Sequence, residues 1–120
     1  SIQMNIQELM TAVENGLPVK ILILNNRHLG MVRQWQTLFY GKRYSNTILG
    51  RKTDFVALAK AFGAEGEAVD TLEGLEAAFG RAFAAEGPYL IDCAIEKDVL
   101  PMLPPGGSVD DIIVKVGDDR

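Results

Sequence analysis

Apolar positions along this chain fall into short blocks with two different rhythms. Ile6, Leu9, Met10 and Val13 recur at helical spacing, and Asn15-Gly16 supplies a stop, so a first helix is predicted there. Asn5, with Glu8 three residues on, reads as a capping box for it. After Pro18 the spacing disappears. Residues 19–24 form a nearly continuous apolar run, which predicts a strand buried on both faces, as in a parallel sheet. Gly30 allows a second helix over 31 to about 40, and the polar, basic stretch 41–52 reads as a long loop. Thr53 or Asp54 caps a helix carrying Phe55, Leu58, Ala59 and Phe62, which ends at Gly63. A short strand follows near 67–69. Thr71 then caps a helix with Leu72, Leu75, Phe79, Ala82 and Phe83 on one face, closed by Gly87-Pro88. Residues 89–95 form a last buried strand.

Helices alternating with apolar strands predict an α/β domain with a mainly parallel sheet flanked by helices. About three strands leave exposed sheet edges, a liability that is usually covered, so the domain is expected to be part of something larger. The regular pattern stops at Glu96. Leu100-Pro101-Met102-Leu103-Pro104-Pro105-Gly106-Gly107 suits neither helix nor central strand and is too apolar for a loose linker. Residues 1–97 are therefore assigned to the domain, and 98–120 to a tail packed on the domain or the active site. Repeats and low-complexity tracts are absent from the sequence.

Composition narrows the function classes. A hydrophobic content of 48% with 23% charged residues suits a soluble globular domain. No apolar run reaches membrane-spanning length, and the N-terminal residues lack a basic-then-apolar signal pattern. The lone Cys93 cannot form an internal disulfide and sits in an apolar run, so it reads as a small buried hydrophobe in a reducing, cytoplasmic setting. A net charge of −4 argues against nucleic-acid binding. The charge is unevenly spread, however. Arg27, Arg33, Lys42, Arg43, Arg51 and Lys52 make up half of the twelve Lys and Arg residues, in a stretch without acids. That stretch is either a solvated or subunit-contacting surface or the neighbourhood of an anionic ligand.

The candidate chemistry lies where the first strand ends, at Asn25-Asn26. Ligands of open α/β sheets sit beyond the carboxyl ends of strands. An amide carbonyl is also a hard oxygen of the kind Mg²⁺ accepts. Taken alone, the pair reads as a strand-terminating turn. The acidic pairs Glu65/Glu67 and Asp110/Asp111 have no histidine nearby and read as solvated surface, and no P-loop is present.

The flanking residues decide between turn and site. Gln3-Met4-Asn5-Ile6-Gln7-Glu8-Leu9, Leu24-Asn25-Asn26, Leu29-Gly30-Met31-Val32-Arg33-Gln34-Trp35-Gln36, Leu38-Phe39-Tyr40, Arg43-Tyr44-Ser45, Asp54-Phe55 and Pro101-Met102-Leu103-Pro104-Pro105-Gly106 run through nearly the whole chain. Together they closely resemble the C-terminal, diphosphate-binding domain of the acetohydroxyacid synthase (acetolactate synthase) family of thiamine diphosphate enzymes. The resemblance implies Mg²⁺ held by Asn26 and by the backbone carbonyl of His28. It places Ser1 and Gly30 at the cofactor diphosphate and Met31 near the thiazolium. Trp35, with Phe39 beside it, would line a 2-ketoacid pocket. The family decarboxylates pyruvate and joins the hydroxyethyl unit to pyruvate or 2-ketobutyrate, in branched-chain amino-acid biosynthesis.

The same resemblance implies partners and gaps. The family motif opens with Gly-Asp-Gly, whose aspartate is a metal ligand, and the chain starts at Ser1, where that triplet would have just ended. The aminopyrimidine-binding domain and the FAD-holding middle domain do not fit in 120 residues. The expectation is a fragment, inactive alone, that works with the rest of the catalytic subunit, a second catalytic subunit and, where one exists, a regulatory subunit. Two alternatives stay open: a glyoxylate carboligase-like enzyme, which Trp35 disfavours, and a stand-alone non-catalytic binding domain.

Overall fold

Three parallel strands carry the fold in a computed structural model that describes residues 2–50 and 53–97. They are β1 (Lys20–Asn25), β2 (Glu65–Val69) and β3 (Tyr89–Ala94), in the order β1-β3-β2. Lys20 pairs with Tyr89 and Asn25 with Ala94 on one edge of β3; Glu65 pairs with Tyr89 and Val69 with Cys93 on the other. A 3₁₀ turn at Ile2–Met4 precedes α1 (Glu8–Glu14); α2 (Gly30–Phe39), α3 (Phe55–Ala61) and α4 (Leu72–Ala84) follow. The predicted class, a parallel sheet flanked by helices, is the one observed. Ser1, Arg51, Lys52, the Asp110/Asp111 pair and the whole 98–120 tail lie outside the described residues.

The core has two halves, one on each face of β3. Leu9, Ala59, Ala64 and Leu90 pack on the α1/α3 side, with Ile21 and Ile23 of β1 against them. Ala78, Ala82, Tyr89 and Ile91 pack under α4. Fully buried alanines at 59 and 78 let the helix backbones approach the sheet closely. Gly66 is needed for the strand pairing itself, since a Cβ there would lie 2.9 Å from the carbonyl oxygen of Leu90, its partner on β3. Two helix starts follow the predicted capping chemistry. Asp54 Oδ1 accepts the Ala57 N–H at 2.9 Å, and Thr71 Oγ1 accepts that of Gly74 at 3.1 Å.

Several expectations change. Asn5 does not cap α1. The chain is already turning through residues 2–7, and Gln7, in a helical conformation and without a side-chain cap bond, occupies the N-cap. The strand 19–24 is not buried on both faces. β1 is an edge strand and α4 packs over β2 and β3, so Leu22 and Leu24 are exposed on that face. The α4 stripe holds in part. Ala82 is buried and Leu75 and Phe79 pack against the core, joined by Ala78, while Leu72 and Phe83 at its ends are exposed. Glu67 is not simply solvated. It lies on β2 and takes two hydrogen bonds from Arg81, at 2.9 and 2.6 Å, and one from the Tyr89 hydroxyl at 2.7 Å.

Those bonds set the charge state of Glu67. The Arg81 guanidinium holds its carboxyl below the usual carboxylate range, with the Tyr89 hydroxyl adding to the effect against desolvation. Burial, and then the bond to Glu67, push the Tyr89 hydroxyl up. A carboxylate with a depressed folded-state pKa adds stability above its unfolded pKa, and that stability is lost as pH falls through the folded value. Glu67→Gln should therefore lower the thermal midpoint at neutral pH and shrink its fall on acidification. Circular-dichroism melts from about pH 7 to about pH 3 check this, and an acid limb as steep as that of the parent would contradict it. Truncating the central strand should cost more: Leu90→Ala is expected to destabilise by about 2–5 kcal/mol in urea unfolding.

Candidate functional site at the end of β1

The β1–β3 ladder ends where the Asn25 carbonyl accepts the Ile95 N–H at 3.2 Å. The chain then turns sharply, and both asparagine side chains hold the turn. Asn25 Oδ1 accepts the Arg27 N–H at 3.1 Å and Asn26 Oδ1 accepts the His28 N–H at 3.0 Å, two consecutive Asx turns. Arg27 between them has φ of 58°, a left-handed conformation disfavoured for a residue with a Cβ. The Asn25 amide is itself anchored, because its Nδ2 donates to Asp92 Oδ1 on β3 at 2.9 Å.

Beyond the turn, His28 faces Ile48 in an antiparallel bridge. Its flanking bonds run from Leu29 N–H to the Thr47 carbonyl (2.9 Å) and from Leu49 N–H to the Arg27 carbonyl (2.8 Å). His28 is therefore the non-hydrogen-bonded member of the ladder, and its own N–H and C=O point away from residues 47–49. That N–H reaches Asn26 Oδ1 instead, and the His28 carbonyl takes no part in the bridge. The imidazole is occupied elsewhere: Nδ1 sits 2.7 Å from the Asn26 carbonyl, which can only accept, so Nδ1 carries the proton. Gly30 completes the cradle. A Cβ there would come within 3.1 Å of Asn26 Nδ2.

A cleft of about 630 Å³ runs along the open edge of β1 to this turn. Asn26, His28 and Gly30 all line it, but Met31, Trp35 and Phe39 do not. The last three, four residues apart along α2, form an apolar stripe that is 68%, 54% and 74% exposed. Trp35 is thus not a core residue. In fact α2 contains no buried residue, and polar bonds hold it in place. Gln36 Nε2 donates to the Ser45 carbonyl (3.0 Å), while its Oε1 accepts the Thr47 hydroxyl (3.2 Å) and the Ser45 N–H (3.4 Å). Thr47 is the one buried polar residue among the described residues. The Arg33 guanidinium lies 4.0 Å from the centroid of the Tyr44 ring, and Thr37 and Tyr44 share a hydroxyl contact of 3.2 Å. Part of the predicted basic surface is therefore internal bracing.

The donor set restricts what this turn could hold. Among the described residues, no three His, Cys, Asp or Glu side chains come together as metal ligands. The oxygens presented are a neutral carboxamide and a backbone carbonyl. Asn26 Oδ1 receives one N–H and keeps a second lone pair. Such a set fits a hard cation whose remaining ligands are phosphate oxygens and groups from other segments, and does not fit a zinc-type centre. Ser1, implied at the diphosphate, lies outside the described residues. The resemblance assigned no part to Asp92, Gln36 or Thr47. A carboxylate inside the apolar run 89–95 was the available signal for Asp92, whereas nothing in the local sequence marks Gln36 or Thr47.

Comparisons with known proteins establish the family. The family described as "Thiamine pyrophosphate enzyme, C-terminal TPP binding domain" matches residues 1–93. The chain is 43% identical over 118 residues to the acetolactate synthase isozyme 2 large subunit of Escherichia coli, covering 97% of this chain and 22% of that protein. It is 44% identical over 130 residues to the chloroplastic acetolactate synthase 2 of Zea mays, covering all of this chain and 20% of that protein. It is 42% identical over 111 residues to the probable acetolactate synthase large subunit of Methanocaldococcus jannaschii, covering 92% of this chain and 19% of that one. The chain thus spans about a fifth of the length of the curated relatives it matches. Among solved structures, the thiamine diphosphate-dependent 4-hydroxybenzoylformate decarboxylase of Rhodococcus jostii RHA1 superposes with a TM-score of 0.73 at 33% identity, covering 81% of this chain and 18% of that chain. The benzoylformate decarboxylase of Polynucleobacter necessarius gives 0.74 at 28% identity, covering 84% and 19%. The asparagine turn, the parallel sheet behind it and these relatives together place the chain in the family of thiamine pyrophosphate enzyme C-terminal TPP-binding domains, homologous to the large subunits of acetolactate synthases.

Proposed function

We propose that this chain is the C-terminal part of an acetolactate synthase catalytic subunit and that its β1 turn holds the diphosphate end of thiamine diphosphate through Mg²⁺. The observation that carries the reading is the turn itself: Asn26 Oδ1 accepts the His28 N–H and keeps a second lone pair, the His28 carbonyl takes no part in the bridge to residues 47–49, and Gly30 leaves the Asn26 carboxamide room. In this reading Asn26 Oδ1 and the His28 carbonyl oxygen are the two metal ligands from this chain. Gly30 and Ser1 lie against the diphosphate. When bound, thiamine diphosphate supplies the electron sink that decarboxylation next to a carbonyl requires. The residues of this chain do the holding and shaping. Met31 supports the cofactor ring, and Trp35 and Phe39 offer exposed apolar surface to a 2-ketoacid side chain.

The parent enzyme would convert two pyruvates, or pyruvate and 2-ketobutyrate, to acetohydroxy acids in the cytoplasm. FAD would be bound outside this chain. The remaining metal ligand, the cofactor-activating group and the rest of the pocket come from other segments of the subunit and from a second subunit. The exposed leucines of β1 and the stripe on α2 are surfaces such partners would cover.

The full-length protein should form acetolactate from pyruvate with thiamine diphosphate and Mg²⁺, while the 120-residue chain alone forms none. Asn26→Ala should reduce the activity by about 100-fold at limiting Mg²⁺. A full-length enzyme that used glyoxylate in preference to pyruvate, or acetolactate made by the isolated chain, would contradict the proposal. Trp35→Leu should remove about tenfold or more of any preference for 2-ketobutyrate over pyruvate as second substrate, because it deletes apolar contact with one extra methylene. The product ratio under direct competition measures this, and an unchanged ratio would remove Trp35 from the pocket.

A further inference from the structure

A carboxamide can stand either way round, and the asparagine turn works only one way. Asn25 must offer its oxygen to the Arg27 N–H, which it accepts at 3.1 Å. Its other end meets Asp92 Oδ1 at 2.9 Å, and an ionised carboxylate accepts hydrogen bonds but donates none. Asp92 therefore selects the orientation in which Nδ2 faces β3 and Oδ1 faces the turn. The rest of the geometry follows in order. Arg27 is held in its left-handed conformation, the backbone reverses, and the His28 N–H arrives 3.0 Å from Asn26 Oδ1. Asp92 is half-buried on the central strand, 67 residues from Asn25 in sequence, on the same face of the sheet.

We propose that Asp92 is a positioning residue for the metal-binding turn, fixing the Asn25 carboxamide and through it the presentation of the Asn26 and His28 oxygens. The inference rests on the reading of those two oxygens as Mg²⁺ ligands. It deepens that reading by adding a determinant of metal affinity that touches neither metal nor substrate.

The test uses the full-length protein that carries this chain, titrated with Mg²⁺ at saturating thiamine diphosphate. Retained cofactor is measured by equilibrium dialysis, and the thermal midpoint is measured without metal as a check on folding. Asp92→Ala should raise the Mg²⁺ concentration for half-saturation by about tenfold or more, within the range typical of groups that orient metal ligands. Asp92→Asn keeps an acceptor oxygen but adds a donor, so it loosens the choice of orientation without removing the partner and should raise half-saturation less than Asp92→Ala does. If Asp92→Ala does not fold, Asn25→Asp sets two carboxylates face to face and should weaken Mg²⁺ binding. Combining it with Asp92→Asn remakes the bond with donor and acceptor exchanged and should restore the affinity. Half-saturation unchanged in Asp92→Ala, or no recovery in the exchanged pair, would overturn the proposal. Asn26→Ala separates the two levels. If it weakens Mg²⁺-dependent binding while Asp92→Ala does not, the inference on Asp92 fails alone; if neither does, the metal reading of the turn fails with it.

Discussion

Hydrogen bonding along both edges of β3 is the constraint from which the other elements take their places. As the central strand it has a buried layer on each face: Leu90 towards α1 and α3, Tyr89 and Ile91 towards α4. β1 and β2 each have one edge paired to β3. The same pairing brings the C-terminal end of β1 beside Asp92 and Ala94, so the ladder that builds the core also delivers the asparagines to their anchor. Fold and candidate site are therefore not separable here. Ligands of such sheets lie beyond the strand ends because the ladder stops there and leaves the backbone polar groups to turns.

The part of the chain that carries the candidate pocket is built on different physics from the core. Residues 27–50 have little burial and many directed polar bonds. Gln36 holds two positions of the following loop, and Thr47, buried beneath it, hands its carbonyl to Leu29 at the start of α2. Arg33 stacks on Tyr44. Polar bracing of this kind fixes the shape of a segment while leaving its apolar side chains uncovered, which suits a surface meant to receive something else. Lys20 does comparable work at the opposite end of β1, where its ammonium donates to the Ala85 and Gly87 carbonyls at the C-terminal end of α4.

Most of the fold was legible because local rules governed it. Asp54 and Thr71 cap as their types predict, the β3 run is where apolar residues cluster, and Gly30 opens α2. What local pattern could not supply was which face of which element is covered. Leu22 and Leu24 look like core residues in sequence, yet sheet order leaves β1 at an edge beyond the reach of α4. The helical stripe on α4 held for Leu75, Phe79 and Ala82, but close packing against β2 and β3 buried Ala78 and left the larger Leu72 and Phe83 at its ends exposed. At the site, Asn26 and Gly30 stood out through their flanking residues. Asp92 did not, because its partner lies on a strand far away in sequence.

That separation governs when the turn can take shape as well as what holds it. β2 and β3 are joined through α4 alone and can pair across that single crossover, but β1 has no ladder partner among the described residues until β3 arrives. Closing so long a loop carries a larger entropic cost and slows a chain whose contacts are distant in sequence. The carboxamide of Asn25 stays unanchored throughout that interval, since Asp92 reaches it only when β3 docks. If the proposed reading of this turn as a cation site holds, its competence would wait on the docking of β3. A chain in which β1 and β3 had not paired would keep the local bond between the His28 N–H and Asn26 Oδ1 but would lack the bond that orients Asn25.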